Sequence, residues 1–123
     1  MKISCGTDII EIERIKKAIE SNTDKFLQTI FTEKEIEYCE SKKMQKYQSY
    51  AARFAAKEAA FKAVNDRVQD ESKYNWKAFE VQKAEDGKPI MNITCNVEGL
   101  QSVDISISHC KQYAVANVVV ISK

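Results

Sequence analysis

The first candidates for a chemical role are three polar residues in apolar surroundings, Asp8, Glu58 and His109. Asp8 stands at the end of a predicted strand, Glu58 within the apolar side of a predicted helix, and His109 in a predicted turn. Two acids without a cluster of cysteine or histidine favour a hard divalent cation, which proteins hold through one or two carboxylates, water and substrate phosphate. A buried carboxylate also needs a proton, a partner or a cation. These residue types therefore predict a site for Mg²⁺ beside a phosphorylated ligand.

Basic residues on the same predicted helix could bind the phosphate. Lys62 follows Glu58 by one helical turn, so it could reach a phosphate bound to the metal. Arg53 could bind a second phosphate, because a guanidinium group matches an oxyanion with two parallel hydrogen bonds. We expect Arg53 and Lys57 to project from another sector of the helix than Glu58. The helix would then bury its one acid and display its basic side chains.

Each of these residues also has a simpler interpretation. Asp8 could cap the helix that follows it. Glu58 and Lys62 could form a surface ion pair worth ~0.3–0.5 kcal/mol. A single histidine in a turn is commonly a solvated polar residue, and the basic run of Lys42, Lys43 and Lys46 is commonly a solvated face. The spacing alone favours these alternatives, so the residues by themselves leave the Mg²⁺ and phosphate site as a competing hypothesis.

The helix that carries Glu58 is predicted over residues 49–64, where alanines and other good helix formers run without Gly or Pro. At about 100° per residue, Phe54, Phe61 and the alanines at 51, 55 and 59 share one side with Glu58. Because the neighbouring segments carry weaker signals, we expect this helix to organise the chain.

The remaining elements predict an α+β fold. Before the helix we predict a strand over residues 2–10, an amphipathic helix over 11–20, a loop over 21–24 leading to a short apolar segment, and a helix from a capping box at Thr32 and Glu35 to residue 40. Residues 41–48 are predicted to be a loop or weak helix. Beyond the helix we predict an exposed connection over 65–75 and strands over 76–84, 90–97, 103–108 and 113–121. The sheet should be antiparallel and include the N-terminal strand, with the helices concentrated in the N-terminal half.

Composition narrows the class of protein. At 123 residues the chain is most simply one domain over residues 1–123. A net charge of +1, from 19 basic and 18 acidic residues, argues against a general nucleic-acid binder. The four cysteines are scattered without a CxxC pair, so we expect free thiols in a reducing compartment. The sequence shows neither an apolar signal segment nor a window near the ~20 apolar residues of a membrane span, so we expect a soluble, cytoplasmic protein that does not bind membranes.

Three segments together resemble one enzyme family. They are GTDIIEIERI at residues 6–15, RFAAKEA at 53–59 and SISH at 106–109, and FTEKE at 31–35 and DGKP at 86–89 add to the likeness. In type, order and spacing they are similar to the holo-acyl-carrier-protein synthase family, the small 4′-phosphopantetheinyl transferases. The resemblance spans nearly the full chain.

The resemblance implies an activity in fatty acid biosynthesis. Members transfer 4′-phosphopantetheine from coenzyme A to a serine of apo acyl carrier protein and release adenosine 3′,5′-bisphosphate. Asp8 and Glu58 would hold Mg²⁺ against the pyrophosphate, and Glu58, or a metal-bound water that it orients, would accept the serine proton. Lys62 would stabilise the pyrophosphate oxygens. Arg53 and His109 would contact the other phosphates, including the 3′-phosphate.

The resemblance also implies partners. Arg14, with Lys16 and Lys17, would dock the acidic carrier protein. The family implies a homotrimer with active sites between subunits. Two alternatives remain open: a non-catalytic module that binds coenzyme A or another phosphorylated ligand, and a nucleic-acid module that uses the basic run with Arg53, against which the net charge speaks.

Overall fold

Helices and strands follow one another in the order that the sequence predicts. The computed structural model describes residues 1–69 and 75–123. The elements are β1 (Lys2–Glu11), α1 (Ile12–Ser21), α2 (Thr23–Ile30), α3 (Glu33–Ser41), α4 (Lys46–Val64), β2 (Phe79–Lys83), β3 (Pro89–Ile93), β4 (Leu100–His109) and β5 (Tyr113–Ser122). Short 3₁₀ turns cover Lys43–Gln45, Asn65–Arg67 and Trp76–Ala78.

The strands form antiparallel ladders, as predicted. β5 is the central strand of a three-stranded sheet in the order β1-β5-β4, and β2 pairs with β3 in a separate two-stranded sheet. The N-terminal strand pairs with β5 along its whole length, from Lys2 opposite Ser122 to Glu11 opposite Tyr113. This pairing confirms that β1 joins the sheet, and the α+β class with helices largely in the N-terminal half is confirmed.

α4 packs against the inner face of this sheet, on β1 and β5. On β5 the inner face consists of small or β-branched residues, Ala114, Ala116, Val118 and Val120, all fully buried. The alanines of α4 let its backbone come close to the strands. The helix and the strand are in close contact at Gly6, where an added Cβ would lie 2.0 Å from the carbonyl oxygen of Ala59. A glycine is therefore required at this position, because any side chain would push the strand away from the helix.

The hydrophobic core lies in two clusters along α4. One cluster joins the C-terminal half of α4 to β2, β3, β4 and β5. The other joins the N-terminal half of α4, including the fully buried Tyr50, to α1, α2 and α3. No helix in the described ranges is long and apolar enough to cross a membrane.

Several predicted boundaries differ from the structure. The apolar segment after residue 24 belongs to a full helix, α2, and α4 begins at Lys46 rather than at residue 49. The strand predicted to start at residue 76 starts at Phe79, because the Asn75 side chain accepts a hydrogen bond from the Ala78 amide and holds a 3₁₀ turn. β3 ends at Ile93 instead of continuing to residue 97. Of the predicted connection over 65–75, residues 70–74 lie outside the described residues.

The prediction that α4 displays its basic side chains is wrong for Arg53 and Lys57. Arg53 is 8% exposed and Lys57 is 1% exposed. The Lys57 ammonium lies 2.7 Å from a carboxylate oxygen of Glu35 and donates to the carbonyl oxygen of Phe79 at 2.7 Å. Burial lowers the pKa of Lys57, and the Glu35 carboxylate opposes that effect. The prediction failed because α3 and β2 cover this side of α4, and the periodicity of one helix does not reveal its neighbours.

Glu35 links the N-terminus of α3 to β2. Its carboxylate accepts hydrogen bonds from the Thr32 amide at 2.9 Å and from the Val81 amide at 2.8 Å. The Thr32 hydroxyl in turn accepts from the Glu35 amide, which confirms the predicted capping box. With Lys57, these contacts satisfy a fully buried carboxylate and connect three elements.

The close contact between β1 and α4 leads to a prediction about stability. Gly6→Ala should lower the free energy of unfolding by at least about 2 kcal/mol, because the backbone of Ala59 cannot move aside as a flexible side chain could. Urea unfolding monitored by circular dichroism measures this change. Glu20→Ala, on the exposed side of α1, is the control and should change little. Equal stability of the two variants would contradict the close packing at Gly6.

Candidate active site

The first cluster of candidate residues lies where β1 crosses α4. Asp8 is near the end of β1, opposite Ala116 of β5, and Glu58 and Lys62 are one turn apart on α4. The Lys62 ammonium lies 3.2 Å from the Asp8 carboxylate and donates to the carbonyl oxygen of Thr7 at 3.1 Å. The structure thus brings together three residues that the sequence nominated, although Asp8 and Lys62 are far apart along the chain.

Two of the simpler interpretations do not hold. The N-cap residue of α1 is Glu11, and Asp8 lies earlier, within β1, so the alternative that Asp8 caps this helix is wrong. The ion pair of Lys62 is with Asp8 across two elements, rather than with Glu58 along the helix. The side chain of Asp8 is 17% exposed, so this pair is partly shielded from solvent.

The environment of Glu58 disfavours its charge. Burial raises the pKa of Glu58, the nearby carboxylate of Asp8 raises it further, and Lys62 acts in the opposite direction. Two carboxylates therefore share a partly buried site with one ammonium group. A divalent cation would relieve the repulsion between them, since it would favour the charged form of both acids.

The donor set fits a cation that needs few protein ligands. Within residues 1–69 and 75–123, no group of three or more His, Cys, Asp or Glu side chains could hold a metal ion. Mg²⁺ is commonly bound through one or two carboxylates and completes its shell with water and substrate phosphate oxygens. Asp8 and Glu58 match that requirement, whereas a structural zinc site would need four ligands.

Arg53 and His109 line a second cleft, of about 360 Å³. Its walls come from the end of α3, the start of α4, the turn between β2 and β3, and the end of β4. Lys42 and Lys83 also line it, so its charged lining residues are all basic. His109 is exposed there. The cleft is suited to an anionic ligand.

The sequence nominated neither Tyr38 nor Lys83. The ring of Tyr38 lies in the same cleft, and its centroid is 3.9 Å from the Cζ atom of Arg53. A tyrosine within a charged helix and a lysine at the end of a strand carry no local signal of function. Only the contact between α3, α4 and β2 identifies them.

Within one chain, the cluster of Asp8, Glu58 and Lys62 lies apart from the cleft that Arg53 and His109 line. Arg53 and Glu58 are five residues apart on α4, which places them about 140° apart around the helix axis. Glu58 therefore faces β1, while Arg53 faces α3 and β2. Of the three residues nominated on α1, Arg14 and Lys17 are exposed and Lys16 is half-buried.

The three segments that resemble an enzyme family contribute residues to both the acidic cluster and the basic cleft. A comparison with protein families decides to which family the chain belongs. The family described as the 4′-phosphopantetheinyl transferase superfamily matches residues 4–118. The chain belongs to this superfamily. The resemblance noted in the sequence is thereby confirmed, and its three segments fall on β1 with the start of α1, on α4, and at the end of β4.

Relatives within the superfamily cover almost the whole chain. A holo-[acyl-carrier-protein] synthase from Ruminiclostridium cellulolyticum is 44% identical over an alignment of 126 positions, and the alignment covers 98% of this chain and 92% of the relative. A crystal structure of a holo-(acyl-carrier-protein) synthase from Bacillus anthracis in complex with CoA (3′,5′-ADP) is 38% identical, with a TM-score of 0.78, and covers 98% of this chain and 96% of that one. The synthase from Helicobacter pylori in complex with coenzyme A is 30% identical, with a TM-score of 0.77 over 95% and 99% of the two chains.

The pKa of Glu58 tests the geometry of the first cluster directly. In the metal-free protein, Asp8→Asn should lower the pKa of Glu58 toward its ordinary value, because it removes the like charge and leaves the burial unchanged. NMR titration of the Glu58 carboxyl carbon measures the shift. Asp24→Asn, an exposed acid in the first turn of α2, is the control and should leave the pKa where it is. An unchanged pKa in Asp8→Asn would show that the two acids do not share a site.

Proposed function

We propose that this protein transfers 4′-phosphopantetheine from coenzyme A to a serine of apo acyl carrier protein, with release of adenosine 3′,5′-bisphosphate, in fatty acid biosynthesis. The observation that carries the proposal is the convergence of Asp8, Glu58 and Lys62 on one point of a superfamily fold. The names of the relatives and the two complexes with coenzyme A support the same reaction. They favour it over a module that binds coenzyme A without turnover.

The reaction is a displacement at the β-phosphorus of the pyrophosphate. The serine oxygen forms a bond to that phosphorus, the bond from the phosphorus to the bridging oxygen breaks, and the serine loses its proton. Asp8 and Glu58 would hold Mg²⁺, which when bound neutralises charge on the phosphates. Glu58, or a metal-bound water that it orients, is our candidate to accept the proton, because Glu58 would lie beside the metal-bound pyrophosphate. Lys62 would turn from Asp8 toward the pyrophosphate oxygens.

The second cleft would bind the nucleotide end of coenzyme A. Arg53 and His109 are our candidates for contacts to its phosphates, including the 3′-phosphate. Because a guanidinium group binds oxyanions in a bidentate manner, Arg53 is suited to this role. The surplus of basic side chains in the cleft supports an anionic ligand.

We further propose that the active form is a homotrimer in which each site combines two chains. The acidic cluster and the basic cleft lie on different sides of α4, so a second copy could place its basic cleft beside the acidic cluster of the first. The outer face of the three-stranded sheet offers an apolar surface for this assembly: Ile3 and Ile9 are each 63% exposed, and Val119 is 44% exposed. Exposed apolar patches of this kind mark interaction surfaces.

Arg14 is our candidate for contact with the acyl carrier protein. It is exposed on α1 beside Lys17, and a basic face attracts an acidic partner and speeds its association. We treat residues 1–123 as one catalytic domain. A cytoplasmic location fits the four cysteines, all of which are free thiols.

A mass measurement tests the reaction. With coenzyme A, Mg²⁺ and apo acyl carrier protein, the carrier should gain the mass of one phosphopantetheine. Glu58→Ala should slow this gain by about 10²-fold or more, because it removes both a metal ligand and the proposed base. Glu98→Ala, which removes an exposed carboxylate elsewhere, is the control and should keep full activity. Binding of coenzyme A without any mass gain, under every divalent metal tried, would favour the non-catalytic module.

Mixing two inactive variants tests the shared site. Arg53→Ala and Glu58→Ala should each have low transferase activity alone. Refolding the two variants together in equal amounts should restore up to about a quarter of the unmodified activity. The reason is that one interface in four would then combine an intact Arg53 from one chain with an intact Glu58 from the other. Light scattering gives the oligomeric state in parallel. If both clusters acted within a single chain, the mixture would be no more active than its components.

A further inference from the structure

The ring of Tyr38 is surrounded by basic groups from three elements. The Cζ atom of Arg53 on α4 lies 3.9 Å from the ring centroid, the Nζ atom of Lys42 after α3 lies at 4.8 Å, and that of Lys83 on β2 lies at 5.9 Å. All four residues line the basic cleft. Cations over an aromatic face are attracted by its negative quadrupole, and the attraction grows when the pair is shielded from water.

Arg53 has few other contacts that could hold it in place. The residue is more than nine-tenths buried, with 8% exposure, yet its Nε atom has no hydrogen-bond partner in the described part of the chain. None of the ion pairs among the described residues joins the Arg53 guanidinium to a carboxylate. A buried arginine is normally paired, because its charge is costly to remove from water. Among the described residues, the Tyr38 ring is the group that lies directly against its guanidinium.

The same groups leave an excess of positive charge around Tyr38. Burial by itself would raise the pKa of Tyr38, but the charge of Arg53, together with the hydrogen bond and charge of Lys42 and a hydrogen bond of Arg53, lowers it below its ordinary value. An excess of this kind, with one cation buried and unpaired, is suited to an anion that enters from the cleft.

We propose that Tyr38 is a positioning residue whose ring holds the Arg53 guanidinium in the orientation that binds the terminal phosphate of the ligand. This inference rests on the proposed function, which supplies coenzyme A as the ligand. Tyr38 acts through Arg53, while Lys42 and Lys83 on the same ring add the charge that favours a doubly charged phosphate.

Calorimetric binding of two ligands to the full chain tests this role without turnover. Tyr38→Leu should weaken the binding of coenzyme A by about ten-fold, because it removes the ring. The same variant should bind 3′-dephospho-coenzyme A nearly as the unmodified protein does, because that ligand lacks the phosphate that Arg53 contacts. Tyr38→Phe, which keeps the ring, should stay within about two-fold for both ligands.

Tyr47 offers a matched control. Its ring also lies near two lysines, with the Nζ atom of Lys46 at 5.3 Å and that of Lys16 at 5.6 Å, but it is not among the residues that line the cleft. Tyr47→Leu should leave both affinities unchanged. Thermal unfolding checks that each variant is folded, and Tyr38→Gln, which also lacks the ring, replaces Tyr38→Leu should that variant not fold.

A double variant separates positioning from a general structural effect. On an Arg53→Ala background, Tyr38→Leu should weaken coenzyme A binding no further, because the group that it positions is already absent. A second loss of the same size, or an equal loss for both ligands, would overturn the inference. So would an unchanged affinity in Tyr38→Leu. Failure of the proposed function would instead appear as no binding of coenzyme A by the unmodified protein.

Discussion

The contact on which the rest of the structure depends is the approach of β1 to α4 at Gly6. The strand lies so close to the helix that an added Cβ would reach the backbone of Ala59. Asp8 follows Gly6 on the same strand, and Lys62 lies one turn beyond Ala59 on the helix. The Asp8–Lys62 ion pair, and the proximity of Asp8 to Glu58, are therefore consequences of backbone packing. The residues of the proposed active site are thus positioned by two residues, Gly6 and Ala59, that have no functional groups in their side chains.

The rotation of α4 about its axis is set by the buried pair of Glu35 and Lys57. Two buried charges are retained only where hydrogen bonds satisfy them, and breaking such a pair typically costs about 3–5 kcal/mol. Lys57 is tied to Glu35 and to the carbonyl oxygen of Phe79, so this side of the helix must face α3 and β2. Glu58 is the next residue, about 100° further round, and is thereby directed toward β1. A structural pair thus orients the acid that we propose as a metal ligand.

α4 separates the charges of the molecule into two regions. Its β1 side carries the acids with Lys62, and its α3 side carries Arg53 in a cleft lined with basic groups. A ligand that has both a metal-binding diphosphate and a further phosphate needs both regions at once. Because the two regions face apart in one chain, the proposed trimer would bring them together at the interface between two chains. The apolar outer face of the sheet, with Ile3 and Ile9 exposed, is consistent with such an assembly.

The sequence by itself determined the features that depend on short stretches of chain. These are the alanine-rich helix, the alternating strands, the capping box at Thr32, and the motifs that nominate Asp8 and Glu58. Only the tertiary structure decided which side of each element is covered. The Lys57 ammonium donates a hydrogen bond to the carbonyl oxygen of Phe79, 22 positions away, and Lys62 pairs with Asp8, 54 positions away. The periodicity of a helix shows that it has distinct sides, but which side meets another element depends on contacts between distant segments, and those exist only in the folded chain.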